Sequence, residues 1–183
     1  WITSEPMIVE DNNSWKDLSA NGITDLGMAF EELTSMLSRK KFLKSPSLSY
    51  APVIFLMTDG YPTDNYKKGL EKLKNNNWYK YGMKIALGIG DYFDESVLEE
   101  FTENKELVVK AANSSQLAKL IKTIAVTSSQ IASKSMTIVS DEENELDYED
   151  VEGNKQKEMV KIVQDTVSDD EFIETLELED GWD

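Results

Sequence analysis

The chain has 183 residues, a formal net charge of −16 at pH 7, no cysteine and no histidine. Its acidity disfavours nucleic acid as a partner because the phosphates would be repelled, and the absence of cysteine excludes disulfide bonds and thiol chemistry. The absence of histidine removes the commonest general base and the commonest transition-metal ligand.

Strands and helices are predicted to alternate along most of the chain. Apolar runs predict strands at Pro6–Val9, Val53–Met57, Lys84–Gly90 and Leu107–Val109. Helical spacing predicts helices from Leu26 toward Arg39–Lys41, after Asp64, from Asp94 to Glu103, and a long one capped by Ser114. This alternation is typical of an α/β fold with a parallel sheet and helices on both faces. The Val53–Met57 run indicates a central strand buried on both faces.

Most of the acidic charge lies at the C-terminal end. Residues 136–183 include 18 Asp and Glu but only 3 Lys, whereas the rest of the chain is nearly neutral. We therefore predict a domain over residues 1–135 and an acidic tail over residues 136–183. Such a composition favours disorder. Two apolar islands, Met159–Val163 and Phe172–Leu178 with Trp182 beyond them, equally favour a segment that docks on a protein.

Two oxygen-bearing residues are candidate ligands. Asp59 lies two residues after the Val53–Met57 strand, and ligands bind at the carboxyl ends of strands in open α/β sheets. Thr24 follows a glycine turn and precedes a helix. Structural roles are the alternative. Asp59 would then be a turn residue that bonds to the backbone, with Gly60 at positive φ, and Thr24 would be the N-cap of its helix.

Three motifs, in this order and spacing, resemble those of the von Willebrand factor A (vWA) family: Gly22–Thr24, Thr58–Gly60 and Leu87–Asp91. The resemblance extends over Trp1–Lys134 and implies a doubly wound, Rossmann-like sheet with helices on both faces. It also implies that Thr24 and Asp59 are ligands of a metal-ion-dependent adhesion site. Such a site holds Mg²⁺, or Mn²⁺ or Ca²⁺, which prefer oxygen ligands. The family uses the cation to bind a carboxylate of a protein partner, without catalysis.

The amino-acid sequence of Phe55–Asp64, FLMTDGYPTD, is similar to that of the bacterial TerY/YegL-like group within that family. This similarity implies a cytoplasmic protein of a stress-response or tellurite-resistance complex, with partners such as a protein kinase or a phosphatase. The chain has no apolar run of membrane-spanning length, so we expect no membrane partner.

One part of the family pattern is missing. The D-x-S-x-S loop that completes the metal site does not occur before Gly22, and the first two strands of the family sheet have no counterpart. A parallel sheet without its centre would expose unpaired backbone. We therefore expect that the chain lacks an N-terminal portion of the natural protein, or that another polypeptide supplies it. Two ligands alone would make a partial site.

Two rival functions remain open. In the first, Asp59 and Asp64 hold Mg²⁺ against a phosphoester, with Lys67 or Lys68 as the charge clamp of a hydrolase. For Asp64, however, an N-cap of the following helix is the favoured interpretation. In the second, the protein is a metal-free interaction scaffold in which Thr24 and Asp59 are only structural.

Overall fold

A computed structural model describes residues 22–43, 52–138 and 148–169 of the chain. The strand predicted at Pro6–Val9, the island Phe172–Leu178 and Trp182 lie outside these residues. The chain divides into two compact units. Unit 1 comprises Trp1–Ser49 and Pro62–Lys80, and unit 2 comprises Tyr50–Tyr61 and Tyr81–Asp183.

Unit 1 contains three helices among its described residues: α1 (Leu26–Met36), α2 (Tyr66–Lys74) and α3 (Asn77–Lys80). The predicted helical spacing is confirmed, because the apolar side chains at the predicted positions face the core: Leu26, Phe30, Leu37, Leu70 and Leu73 are buried. The helices α1 and α2 pack against each other. Burial of apolar side chains such as these stabilises packed helices.

Helix α1 ends earlier than the prediction at Arg39–Lys41. The side-chain amide of Asn76 donates to the carbonyl oxygens of Thr34 (3.3 Å) and Leu37 (3.1 Å). The last carbonyls of a helix have no partner within the helix, so Asn76 satisfies them from the junction between α2 and α3. Residues 38–43 then form turns instead of continuing the helix.

Unit 2 contains a parallel sheet of three described strands in the order β1 (Val53–Thr58), β2 (Met83–Ile89) and β3 (Val108–Ala111). Helices α4 (Glu95–Thr102), α5 (Ser114–Ile138) and α6 (Tyr148–Val167) pack in the same unit, with a 3₁₀ turn at Lys105–Leu107. The protein is therefore a mixed α/β structure whose parallel sheet is flanked by helices, as the alternation of elements predicts. None of the described helices is long and apolar enough to cross a membrane.

The prediction that β1 is a central strand buried on both faces is wrong for the described sheet. In β1 only Ile54 and Thr58 are buried, and the side chain of Met57 is 47% exposed. The strand β2 takes the central position, because it pairs with β1 on one side and with β3 on the other. Its residues are buried from Met83 to Gly88.

Helix α5 begins as predicted but with a different cap. Asn113, not Ser114, is the N-cap, because its side-chain oxygen accepts a hydrogen bond from the backbone N–H of Gln116 at 2.9 Å. The Gln116 side chain in turn accepts from the backbone N–H of Ala112 at 2.9 Å. This reciprocal arrangement satisfies two backbone donors at once.

Part of the acidic segment is folded. The island Met159–Val163 lies in α6, where Met159 and Val163 are buried in the same apolar cluster as Ile85, Leu107 and Leu120. Residues Tyr148–Val167 form this helix, which packs within unit 2 against α5 and the 3₁₀ turn. Disorder of the tail over residues 136–183 stays a prediction. The domain boundary at residue 135 and docking on a second protein stay predictions.

Candidate functional site

The two predicted ligands belong to different units. Thr24 precedes α1 in unit 1, and Asp59 follows β1 in unit 2. The structure gives the surroundings of Thr24 and of Asp59 separately, and the meeting of the two residues at one site stays a prediction.

The turn after β1 is closed by Thr58 and not by Asp59. The Thr58 hydroxyl donates to the carbonyl oxygen of Gly60 at 3.1 Å and accepts from the backbone N–H of Gly60 at 3.3 Å. Gly60 does not have a positive φ, and the exposed Asp59 carboxylate takes no hydrogen bond from any residue in the described part of the chain. The interpretation of Asp59 as the turn residue is wrong.

Thr24 does not cap α1 with its side chain. Its carbonyl oxygen accepts hydrogen bonds from the backbone N–H groups of Leu26 at 3.1 Å and Thr63 at 2.9 Å. Within the residues that the structure describes, the hydroxyl of Thr24 makes no hydrogen bond. The N-cap position is occupied by Asp25, which makes no side-chain cap bond either. The glycine turn before Thr24 is confirmed, because Gly22 has a φ of +98°.

The cap of α1 comes from Asp64, which is distant in the sequence. Its carboxylate accepts hydrogen bonds from the backbone N–H of Gly27 (Oδ1, 3.0 Å) and of Met28 (Oδ2, 3.1 Å). Asp64 is a capping residue, as predicted, but it caps α1 and not the helix that follows it, α2. The N-cap position of α2 is occupied by Asn65, whose side chain makes no cap bond.

Thr63 adds to this contact. Its hydroxyl donates to Asp25 Oδ1 at 3.2 Å, and its backbone N–H binds the carbonyl oxygen of Thr24. The sequence does not indicate the turn-closing role of Thr58 or the bonds of Thr63, because a threonine beside an aspartate has no pattern of its own. The only available clue was that Asp64 is followed by Asn65, a second candidate for the N-cap of α2.

The exit of β2 is built differently from that of β1. Gly90 has a φ of +71°, and its backbone N–H donates to the carbonyl oxygen of Ala111 at 3.0 Å. The exposed carboxylate of Asp91 forms an ion pair with Lys110 at 2.5 Å. Asp91 is thus an exposed carboxylate near the same edge of the sheet as Asp59, but it is paired with a lysine.

The donor chemistry of Thr24 and Asp59 fits a hard cation. Both offer oxygen, which Mg²⁺, Mn²⁺ and Ca²⁺ prefer. The described residues contain no group of three or more Asp or Glu placed to hold a metal ion. Thr24 and Asp59 could each supply one oxygen ligand, and a metal site formed by both residues stays a prediction.

Comparisons of the chain with protein-family models, with curated proteins and with solved structures find no match.

Proposed function

We propose that the chain is a protein-binding module of the vWA type, in which Thr24 and Asp59 are two of the ligands of a divalent cation. In this proposal a carboxylate of a protein partner completes the site, and no bond of the partner is broken. The sheet in the order β1-β2-β3, with Asp59 at the carboxyl end of β1, is compatible with the proposal.

One observation carries the proposal: neighbouring residues perform the structural roles that Thr24 and Asp59 would otherwise have. Thr58 closes the turn after β1, and Asp64 caps α1. The hydroxyl of Thr24 and the carboxylate of Asp59 are therefore both left for a ligand. This distribution of roles disfavours the metal-free scaffold, which requires Thr24 and Asp59 to be structural.

In the proposal the Asp59 carboxylate supplies the negative charge and the Thr24 hydroxyl a neutral oxygen. When bound, the cation would supply an open position for the partner's carboxylate oxygen.

The biological setting is proposed from the resemblance to the TerY/YegL-like group alone. It suggests a cytoplasmic bacterial protein of a stress-response or tellurite-resistance complex, with a protein kinase or phosphatase as partner. The hydrolase gains no support from the described residues, because both carboxylate oxygens of Asp64 already accept hydrogen bonds from α1.

The proposal is tested by adding Mn²⁺ to ¹⁵N-labelled protein and following the backbone amide signals. A paramagnetic ion at one shared site broadens the amides of Thr24 and Asp59 together, and excess Mg²⁺ restores them. We expect Thr24→Ala and Asp59→Ala each to weaken the binding of the ion at least about tenfold. Asp91→Asn is the matched control, because Asp91 is an exposed carboxylate that already has a lysine partner.

Acetate serves as a probe for the partner's carboxylate. It should shift the amides near Thr24 and Asp59 when Mg²⁺ is present and not when Mg²⁺ is absent. If the two amides broaden at different Mn²⁺ concentrations, or if Asp91→Asn abolishes the effect, the proposed site is wrong.

A further inference from the structure

The segment Thr63–Asp64 is bonded along the N-terminus of α1, within unit 1. Two hydrogen bonds come from Thr63, one from its N–H to the Thr24 carbonyl oxygen (2.9 Å) and one from its hydroxyl to Asp25 Oδ1 (3.2 Å). Two more run from the N–H groups of Gly27 and Met28 to the carboxylate of Asp64, at 3.0 and 3.1 Å. These bonds join segments that are 36 to 39 residues apart in the chain.

The bonds to Asp64 replace a local cap. Gly27 and Met28 are the second and third residues of α1, and their N–H groups are the ones that an N-cap side chain normally binds. The adjacent Asp25 does not bind them, and its Oδ1 accepts from Thr63. A carboxylate at a helix N-terminus is also favoured by the helix dipole.

The close approach of Asp64 depends on the glycine at position 27. A Cβ atom at Gly27 would lie 2.6 Å from Asp64 Oδ2 and 2.9 Å from the carbonyl oxygen of Asn65. Any side chain there would push the carboxylate away. The glycine at position 27 and the aspartate at position 64 are thus two parts of one contact.

A local cap and a distant cap differ in what they hold in place. A local cap orders only the first turn of its own helix, whereas Asp64 ties that turn to the segment that follows β1 in the chain. Thr24 is attached directly, because Thr63 binds its carbonyl oxygen, and indirectly, because Asp64 binds the helix that it precedes. The carbonyl group of Thr24 and the backbone that follows it are therefore held in place.

We propose that Asp64 is a positioning residue that, together with Thr63, fixes the orientation in which Thr24 presents its hydroxyl. The inference rests on the proposed function, because Thr24 is the ligand that Asp64 serves. Asp64 itself does not bind the cation, since both of its oxygens are used by α1.

The experiment compares Asp64→Ala and the milder Asp64→Asn with Asp94→Ala. Asp94 caps its own helix, α4, by accepting from the N–H of Ser96 at 3.1 Å. Asp94→Ala therefore removes a helix cap of the same kind without touching Thr24. Amide hydrogen exchange, relaxation of the Thr24 methyl group and the Mg²⁺ affinity are measured in all of these variants and in the unmodified protein.

We expect Asp64→Ala to speed the exchange of the Gly27 and Met28 amides and to increase the motion of the Thr24 methyl group, in the absence of metal. The affinity for Mg²⁺ should fall about tenfold or more, in the range of other residues that orient a ligand, and Asp64→Asn should show a smaller loss. Asp94→Ala should leave the affinity and the Thr24 methyl group unchanged.

The two proposals fail in different ways. If the protein binds no Mg²⁺ when the D-x-S-x-S loop is also supplied, the proposed function is wrong, and the metal-free motion of Thr24 still decides the role of Asp64. Asp64 is only a helix cap, and the positioning role is overturned, if Asp64→Ala does not change the motion of the Thr24 methyl group. The same conclusion follows if the protein binds Mg²⁺ and Asp64→Ala does not change its affinity for Mg²⁺.

Discussion

Gly69 of α2 lies directly against the backbone of Gly27 in α1, so closely that a Cβ atom built on Gly69 would overlap the carbonyl oxygen of Gly27. The helices α1 and α2 therefore cross at a pair of glycines. The same Gly27 admits the Asp64 carboxylate, so one small residue serves both the helix crossing and the cap of α1.

Gly69→Ala should lower the free energy of unfolding by about 1–3 kcal/mol, the usual cost of overpacking. Alanine is the better helix former by about 1 kcal/mol, but the obstacle is a backbone carbonyl that cannot rotate away. The measurement is urea unfolding followed by circular dichroism. Lys67→Ala, at an exposed position of the same helix, is the control and should change the stability by less than about 0.5 kcal/mol. A Gly69→Ala variant that is as stable as the unmodified protein would contradict the close crossing.

The second prediction concerns Lys84 in the central strand β2. Its side chain is 3% exposed, and its Nζ lies 2.9 Å from Glu103 Oε2, whereas the Glu103 side chain is 47% exposed. Removing the carboxylate leaves a buried positive charge with less compensation, which is more costly than leaving the half-exposed Glu103 carboxylate without Lys84. Glu103→Gln should therefore destabilise the protein more than Lys84→Met does.

For Glu103→Gln we expect a loss of about 1–3 kcal/mol, below the range for a fully buried pair because Glu103 is half exposed. Denaturant unfolding of both single variants and of the double variant measures the coupling between the two side chains. Equal losses for the two single variants, with no coupling, would show that the pair does not govern the stability.

The third prediction concerns the docking of α6. Met159 is fully buried in the apolar cluster of unit 2, so Met159→Ala should cost about 2–5 kcal/mol. The loss should be accompanied by faster amide exchange in α6. Lys157→Ala, two residues away and exposed, is the control and should have little effect. Unchanged exchange in α6 of the Met159→Ala variant would mean that this helix is not held by the core.

The fourth prediction concerns the titration of Glu31. The pKa of its carboxyl group is lowered from its ordinary value of 4.5, first by the hydrogen bond from Lys72 and then by the charges of Lys72 and Lys68. A lowered pKa in the folded state means that the contribution to stability is present above pH 4.5 and is lost as the pH falls through the folded-state pKa. Because the group is exposed, the contribution is small. In an NMR titration, Lys72→Gln should raise the pKa of Glu31 toward 4.5. No change would exclude this pair as the cause.

Sequence periodicity alone determined the α/β class, the helices α1 and α2 and the positions of the described strands β1, β2 and β3. Leu70 and Leu73, for example, are buried where the helical spacing places them. Periodicity succeeds here because the burial of apolar side chains is the largest favourable term in folding and shows directly as spacing along the chain. The candidate ligands Thr24 and Asp59 were also chosen from local motifs, and their meeting at one metal site is still a prediction.

Tertiary structure alone decided how the polar residues divide their roles. Whether Thr24, Asp25 or Asp64 caps α1 depends on contacts across more than 30 residues of chain, and each of these side chains is a good cap by composition. How far the side chains of β1 are exposed depends likewise on which distant elements pack against that strand. Hydrogen-bond partners are set by positions in space that many distant packing contacts determine together. A local pattern therefore predicts that a cap is needed but not which residue provides it.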